Sequence, residues 1–279
     1  HSVVSCDIQG YSKVICNALL HKFDVPDKTV EDFFKSLDNE YANKLREAFA
    51  PLIELEQDAI DNKKLEMLTC ILEHGSLEVF NIEHNLSCLS DQLVVVCKNL
   101  KRIGLNDVRS LISRYYGGVY FSYKQAVEID IILENIHRLV SEDNRDLFLA
   151  ALLSTASDVV DTVGKHFAQP IKARDSKGNI KITVYNKAVK DKTIDVIALY
   201  REWLLKYKNL AKSNCLHITM QGDYEQCLKA LPDNVKTVYA DPPYTRDHYS
   251  RYYHVLETLT LRDTPKISTV TIHGTTHVS

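Results

Sequence analysis

Apolar positions along the chain follow two periods, and the switches between them mark its organisation. Val3-Val4-Ser5-Cys6-Asp7 is a short apolar run ending in an acid, which predicts a buried strand, and helical spacing follows over residues 11–21. From about residue 28 to 100 the pattern is helical. Leu52, Leu55, Ala59 and Ile60 form one stripe, and Leu65, Leu68, Ile71 and Leu72 form another. Gly75 and Gly104 punctuate it. Tyr115-Tyr116-Gly117-Gly118-Val119-Tyr120-Phe121 is an aromatic turn around two glycines, equally suited to tight packing and to lining a cleft. Ser122, with Gln125 three residues on, makes a capping box. The helix it opens places Ile129, Ile132, Leu133, Ile136, Leu139 and Val140 on one apolar face. A further helix is predicted from about Arg145 to Val160.

The second half of the chain alternates more. Asp175-Ser176-Lys177-Gly178-Asn179 is a turn signal, and Ile180, Ile182 and Val184 after it have strand alternation, so residues 165–192 read as an exposed hairpin. A helix follows over roughly 192–211. Leu216-His217-Ile218-Thr219-Met220 then leads into Gly222-Asp223, and Val235-Lys236-Thr237-Val238-Tyr239-Ala240 leads into Asp241-Pro242-Pro243-Tyr244. The two prolines lack amide donors and stop helix growth, leaving a stiff extended turn beyond a strand end. The last dozen residues are rich in Thr, Ser and Val and give no assignable pattern.

Composition narrows the function classes only slightly. With 45% hydrophobic and 25% charged residues, the chain has an ordinary globular composition. No stretch approaches the ~20 apolar residues of a membrane span, so no membrane association and a cytoplasmic setting are expected. Seven cysteines, none in a Cys-x-x-Cys pair, suggest free thiols in a reducing compartment, and no His or Cys spacing suits a metal ion. The net charge of −3 makes no case for a nucleic-acid partner, but its distribution does. Residues 24–94 carry 16 Asp/Glu and 6 Lys/Arg, whereas residues 165–192 carry 8 Lys/Arg and 2 Asp. A polyanion would approach the second region and avoid the first, although solvated surface explains either one.

Asp7, Asp223 and Asp241 each stand just past an apolar strand. Ligands of open parallel sheets bind at the carboxyl ends of strands, so three acids there would converge on one cleft. Asp is also a routine turn residue and helix cap, which explains any one of them alone. The tetrapeptide Asp241-Pro242-Pro243-Tyr244 is harder to explain as turn chemistry.

That signature resembles the catalytic motif of DNA amino-methyltransferases, and the acid in its first position resembles the adenine-N6 enzymes. The run from Tyr239 to His254 and the segments Tyr116–Ser122 and Gly164–Pro170 are similar to bacterial adenine-specific DNA methylases. The resemblance implies an α/β fold: a Rossmann-like S-adenosylmethionine-dependent methyltransferase sheet with a large, mostly helical insertion. Residues 1–22 would begin the core, 23–212 would be the insertion with its basic hairpin at 165–192, and 213–279 would return to the core with the signature. It further implies that Asp241 and the Pro242 carbonyl accept the N–H groups of the target amine. Pro243 stiffens the turn, and Tyr244 stacks on the flipped base. Asp7 would hold the ribose hydroxyls of S-adenosylmethionine, and Asp223 its adenine amine. Lys172, Arg174, Lys177 and Lys181 would contact phosphates of double-stranded DNA, with Tyr249 and Arg251 lining the base channel. A restriction endonuclease partner would fit a restriction–modification or phage-defence role.

The chain departs from the pattern in two ways. The Gly-rich turn of such folds precedes the ribose acid by about 20 residues, and no Phe-x-Gly-x-Gly stretch occurs. Only about 35 residues follow Tyr244, fewer than the remaining strands need. A fragment of a longer protein, binding S-adenosylmethionine weakly by itself, is therefore expected. Two alternatives remain open: a methyltransferase acting on RNA, and a non-catalytic DNA-binding defence subunit with a degenerate methylase fold.

Overall fold

The computed structural model describes residues 1–83, 87–241, 250–272 and 275–278. Strand β1 (Val4–Asp7) leads into α1 (Gly10–Leu20), and a long helical region follows: α2 (Asp27–Lys35), α3 (Glu40–Asp61), α4 (Leu65–His74), α5 (Leu77–Glu83), α6 (Ser90–Ile103), α7 (Leu111–Tyr115), α8 (Tyr123–Leu139), α9 (Glu142–Val159), α10 (Ile182–Lys192) and α11 (Val196–Asn209). The chain then returns through β2 (Ile218–Gln221), α12 (Tyr224–Lys229), α13 (Ser250–Leu261), β3 (Ile267–Ile272) and β4 (Thr275–Val278). β1 and β2 pair in parallel, Val4 opposite Ile218 and Asp7 opposite Gln221, while β3 and β4 pair antiparallel. The described residues thus form a helix-rich α/β structure with a small parallel sheet, and among them no helix is long and apolar enough to cross a membrane.

Helix α8 is the centre of the packing. Ser122 caps it in the predicted way: its hydroxyl accepts from Gln125 N at 3.1 Å, and Gln125 Oε1 accepts from Ser122 N at 2.9 Å. Its burial is not one-sided. Ile129, Ile132, Leu133 and Ile136 are enclosed as expected, but so are Val127 and Ile131 on the other face, and Leu139 is exposed. α3, α7, α9 and α11 surround it, so apolar side chains are buried around its circumference, with Glu128, Asp130 and Asn135 buried among them. Each fully buried Ile or Leu contributes ~1.5–3 kcal/mol relative to exposure, so this ring of contacts fixes the frame on which the strands sit.

The aromatic turn is a packing element. Tyr116, Tyr120 and Phe121 are buried, and Gly118 has φ +78°, with space for a Cβ closed by the Tyr123 ring at 2.8 Å. Glycine is required there for both reasons.

Three expectations are corrected. The basic hairpin exists only at its tip, where Arg174 bridges Ile180 and Asp175 Oδ1 accepts from Lys177 N and Asn179 N. Residues 182–192 are helical because Tyr185 and Ala188 bury at helical spacing against Ala59, Leu68 and Leu72, which overrides the alternation of Ile182 and Val184. Residues 235–241 form no strand. A parallel strand needs an edge to pair with and cover on its faces, whereas Val238 and Tyr239 are 58% and 86% exposed. The thiols are not all free: disulfides join Cys6 to Cys227 and Cys70 to Cys88, leaving Cys16, Cys97 and Cys215. Partners 221 and 18 residues apart are brought together by the fold, so no local motif announced them.

Candidate functional site

The parallel pairing of β1 with β2 puts Asp7 and Asp223 at the same carboxyl edge. Gly222 N donates to Asp7 O at 3.0 Å, so the two acids leave the sheet side by side. Each also performs the local turn role. Asp7 Oδ1 accepts from Gln9 N at 2.9 Å and leads the chain into α1, and Asp223 Oδ1 accepts from Glu225 N at 2.8 Å as the cap of α12. Among the described residues these bonds engage only Oδ1 of each carboxylate, and Asp7 is exposed while Asp223 is half-buried. Two carboxylates at one strand edge, each with an oxygen that these turn bonds do not engage, suit a ligand rich in hydroxyl and amine donors. The Cys6–Cys227 disulfide lies across the same edge, joining the residue before Asp7 to α12.

Asp241 is exposed and ends a stretch, 235–241, that has no strand assignment, so no ladder among the described residues brings it to the edge that carries Asp7 and Asp223. Pro242, Pro243, Tyr244 and Tyr249 lie outside the described residues. The structure resumes with α13, where Arg251 is exposed and its carbonyl lies 3.0 Å from His254 Nδ1. α13 is firmly seated. The His254 ring packs against Tyr116, Tyr120 and Phe167, Tyr116 Oη and Thr258 Oγ1 are 3.1 Å apart, and Phe167 N donates to Tyr252 O at 3.0 Å. Burial lowers the His254 imidazole to about 4, so it is neutral in its aromatic seat. The segments Tyr116–Ser122 and Gly164–Pro170 therefore do the same thing: they build the bed for the helix that follows the signature.

The basic segment carries less free charge than its sequence suggests. Arg174, expected on phosphate, is held within the fold by Glu66 at 2.9 Å and Glu73 at 3.3 Å, both from α4, and by Gly178 O at 3.1 Å. Lys165 pairs with Asp191 at 3.0 Å, Lys187 bridges Asp191 and Asp161, and Lys192 is fully buried against Glu56 at 3.0 Å. The acidic helices and the basic segment are thus neighbours, because opposite charges brought together by packing satisfy each other. Lys172, Lys177 and Lys181 have no carboxylate partner among the described residues, and Lys172 and Lys177 are exposed.

Sequence patterns gave no hint of Glu257. Its carboxylate accepts from Gly10 N at 2.9 Å and Tyr11 N at 3.1 Å, joining α13 to the helix after Asp7. The residue is half-buried between Leu256 and Thr258, both buried, and only the fold brings it to α1.

Comparison with known proteins adds to this geometry. A type II methyltransferase, M.CviAII, of Paramecium bursaria Chlorella virus 1 is 30% identical over 151 residues, which cover 50% of this chain and 45% of that protein. The match therefore spans less than half the length of that curated relative. No solved structure matches the chain. Residues 165–277 match the family described as D12 class N6 adenine-specific DNA methyltransferase, a span that takes in the basic segment, β2 with Asp223, the signature and α13. This segment, with the signature within it, is thus similar to the adenine-N6 DNA methyltransferase family.

Proposed function

We propose that this chain carries the catalytic part of a site-specific methyltransferase that moves a methyl group from S-adenosylmethionine to adenine-N6 in double-stranded DNA. The observation that carries the proposal is Asp241-Pro242-Pro243-Tyr244 inside the segment matched by the adenine-specific family. The parallel pair β1–β2, with Asp7 and Asp223 at one carboxyl edge, supports it as the remnant of a Rossmann-like sheet. By the domain reading, residues 1–22 and 213–279 form the core and 23–212 the insertion.

S-adenosylmethionine, when bound, supplies an electrophilic methyl group. The chain's own residues bind and orient. Asp7 accepts from the ribose hydroxyls and Asp223 from the adenine amine of the cofactor, through the carboxylate oxygens their turn roles leave open. The target amine is a poor nucleophile because its lone pair is delocalised into the ring. Asp241 and the Pro242 carbonyl accept its two N–H bonds, which draws the nitrogen toward tetrahedral geometry and aims its lone pair at the methyl group. Pro243 holds that carbonyl in place before reaction, so orientation is set in advance. Tyr244 stacks on the flipped base and replaces part of its lost stacking. Tyr249 and Arg251 line the base channel. Lys172, Lys177 and Lys181 contact phosphates, which positions the duplex without reading sequence. The setting is cytoplasmic, and a restriction endonuclease of matching specificity is the expected partner.

The test is labelled-methyl transfer to DNA by the full chain and two variants. Asp241→Ala should abolish transfer and leave S-adenosylmethionine affinity nearly intact, since the role assigned to Asp241 is toward the target amine and not toward the cofactor. Asp223→Ala should weaken cofactor binding about tenfold, the scale of one lost hydrogen bond to a charged group. Substantial turnover in Asp241→Ala would refute the assignment of the signature.

A further inference from the structure

We propose that Glu257 is a positioning residue that registers the helix after the catalytic signature against the cofactor edge of the sheet. This rests on the methyltransferase reading above. Helix α1 begins three residues after Asp7, and its N-cap residue, Gln9, makes no side-chain capping bond. The amides of Gly10 and Tyr11 are satisfied instead by Glu257, from 247 and 246 residues away, one carboxylate oxygen to each. A carboxylate at a helix N-terminus is favoured by the helix dipole, and both hydrogen bonds are charge-assisted.

The contact is built for close approach. A Cβ on Gly10 would lie 3.3 Å from Glu257 Oε1, 3.3 Å from Thr260 Cγ2 and 3.4 Å from Gln221 Nε2. Gly10 is therefore the point where α1, α13 and the last residue of β2 meet, and Asp223 follows Gln221 by two residues. Beside it the Tyr11 and Tyr253 rings lie 5.2 Å apart, centroid to centroid. α13 is also seated independently of Glu257, through His254 and Thr258, and the residue just past its end, Arg262, pairs with Glu134 at 2.7 Å. Loss of Glu257 thus leaves the helix folded and docked. What it removes is the tie between the start of α1, three residues after Asp7, and the helix that follows the signature, and methyl transfer depends on the alignment of these two elements. A misplacement of ~1 Å costs roughly a hundredfold in rate.

The experiment compares the full chain with Glu257→Ala and Glu257→Gln by two measurements. Steady-state methylation of DNA should show kcat lowered roughly 10- to 100-fold in Glu257→Ala, with KM for DNA unchanged. Glu257→Gln, which keeps one acceptor oxygen, should recover part of that loss. A merely structural role would lower the melting temperature and the active fraction while leaving kcat per titrated site unchanged, and that result would overturn the proposal. Amide hydrogen exchange gives a readout independent of activity. Exchange in Glu257→Ala should accelerate at Gly10 and Tyr11 and also across residues 236–241 and 250–256. Acceleration confined to residues 10 and 11 would overturn the proposal, because the bond would then be a local cap. If the unaltered full-length protein methylates no DNA, the functional reading fails, and the exchange measurement still decides whether Glu257 couples the two segments.

Discussion

The buried pair of Lys192 and Glu56 makes a quantitative prediction. Lys192 is the last residue of α10, and its ammonium is fully enclosed. Its three N–H donors go to Glu56 Oε1 at 3.0 Å, Gly118 O at 2.9 Å and Phe121 O at 3.3 Å, so the group is saturated. Glu56 Oε2 accepts in turn from Tyr123 N at 2.7 Å. One ion pair thereby ties α3, α10 and the aromatic turn on which α13 rests. In Lys192→Met the aliphatic stem is conserved, but Glu56 is left as an uncompensated buried charge, which costs about 3–5 kcal/mol. The two orphaned carbonyls place the expected value toward the upper end. The double variant Glu56→Gln/Lys192→Met removes the charge and should recover most of the loss. Burial lifts the Glu56 carboxyl above its ordinary range, and Lys192 opposes that lift. Without Lys192 the folded state takes up a proton that the unfolded state, titrating near 4.3, does not. Stability of the variant therefore rises relative to wild type as pH falls from neutral toward that value. Urea denaturation followed by far-ultraviolet circular dichroism at pH 7.5 and 5.5 gives both numbers. A deficit below about 1 kcal/mol at pH 7.5, or one that does not narrow at pH 5.5, would refute the account of the pair.

Three further outcomes are expected. His254 and His137, both lowered to about 4 by burial, leave the unfolded state binding protons that the folded state does not between about 4 and 6.5, so stability falls as pH drops through that window. His254→Phe should reduce the loss between pH 7.5 and 5 by about 2 kcal/mol, and an unchanged pH profile would remove His254 from the account. Replacing Lys172, Lys177 and Lys181 with alanine should lower the slope of log affinity for DNA against log salt by roughly 0.9 per contact. Arg174→Ala, which breaks pairs with Glu66 and Glu73, should leave that slope alone; an equal drop in both variants would return Arg174 to the phosphate-contacting set. Alkylation without reductant should modify Cys16, Cys97 and Cys215 only, read by intact mass, and modification of all seven cysteines would contradict the two disulfides.

Short-range signals were sufficient for part of this protein. The capping box at Ser122 and Gln125, the acids closing β1 and following β2, and the helices now bounded at Gly10–Leu20, Glu142–Val159 and Val196–Asn209 are all readable in sequence. Each depends on hydrogen bonds and apolar spacing within a few residues. The signature is likewise local chemistry, which is why Asp241 and its neighbours stand out without any fold. Only the tertiary structure decided the rest. Residues 182–192 became a helix because Tyr185 and Ala188 found a surface on α3 and α4, and residues 235–241 formed no strand where β propensity alone favoured one. Arg174 was withdrawn from the basic surface by acids 108 and 101 residues away, Lys192 by one 136 residues away, and the amides of α1 were capped by Glu257 across 247 residues. A charged side chain carries no mark of its partner in its own neighbourhood. Which cation stays without an acidic partner, and which acid reaches a distant amide, is settled when packing chooses which distant groups meet.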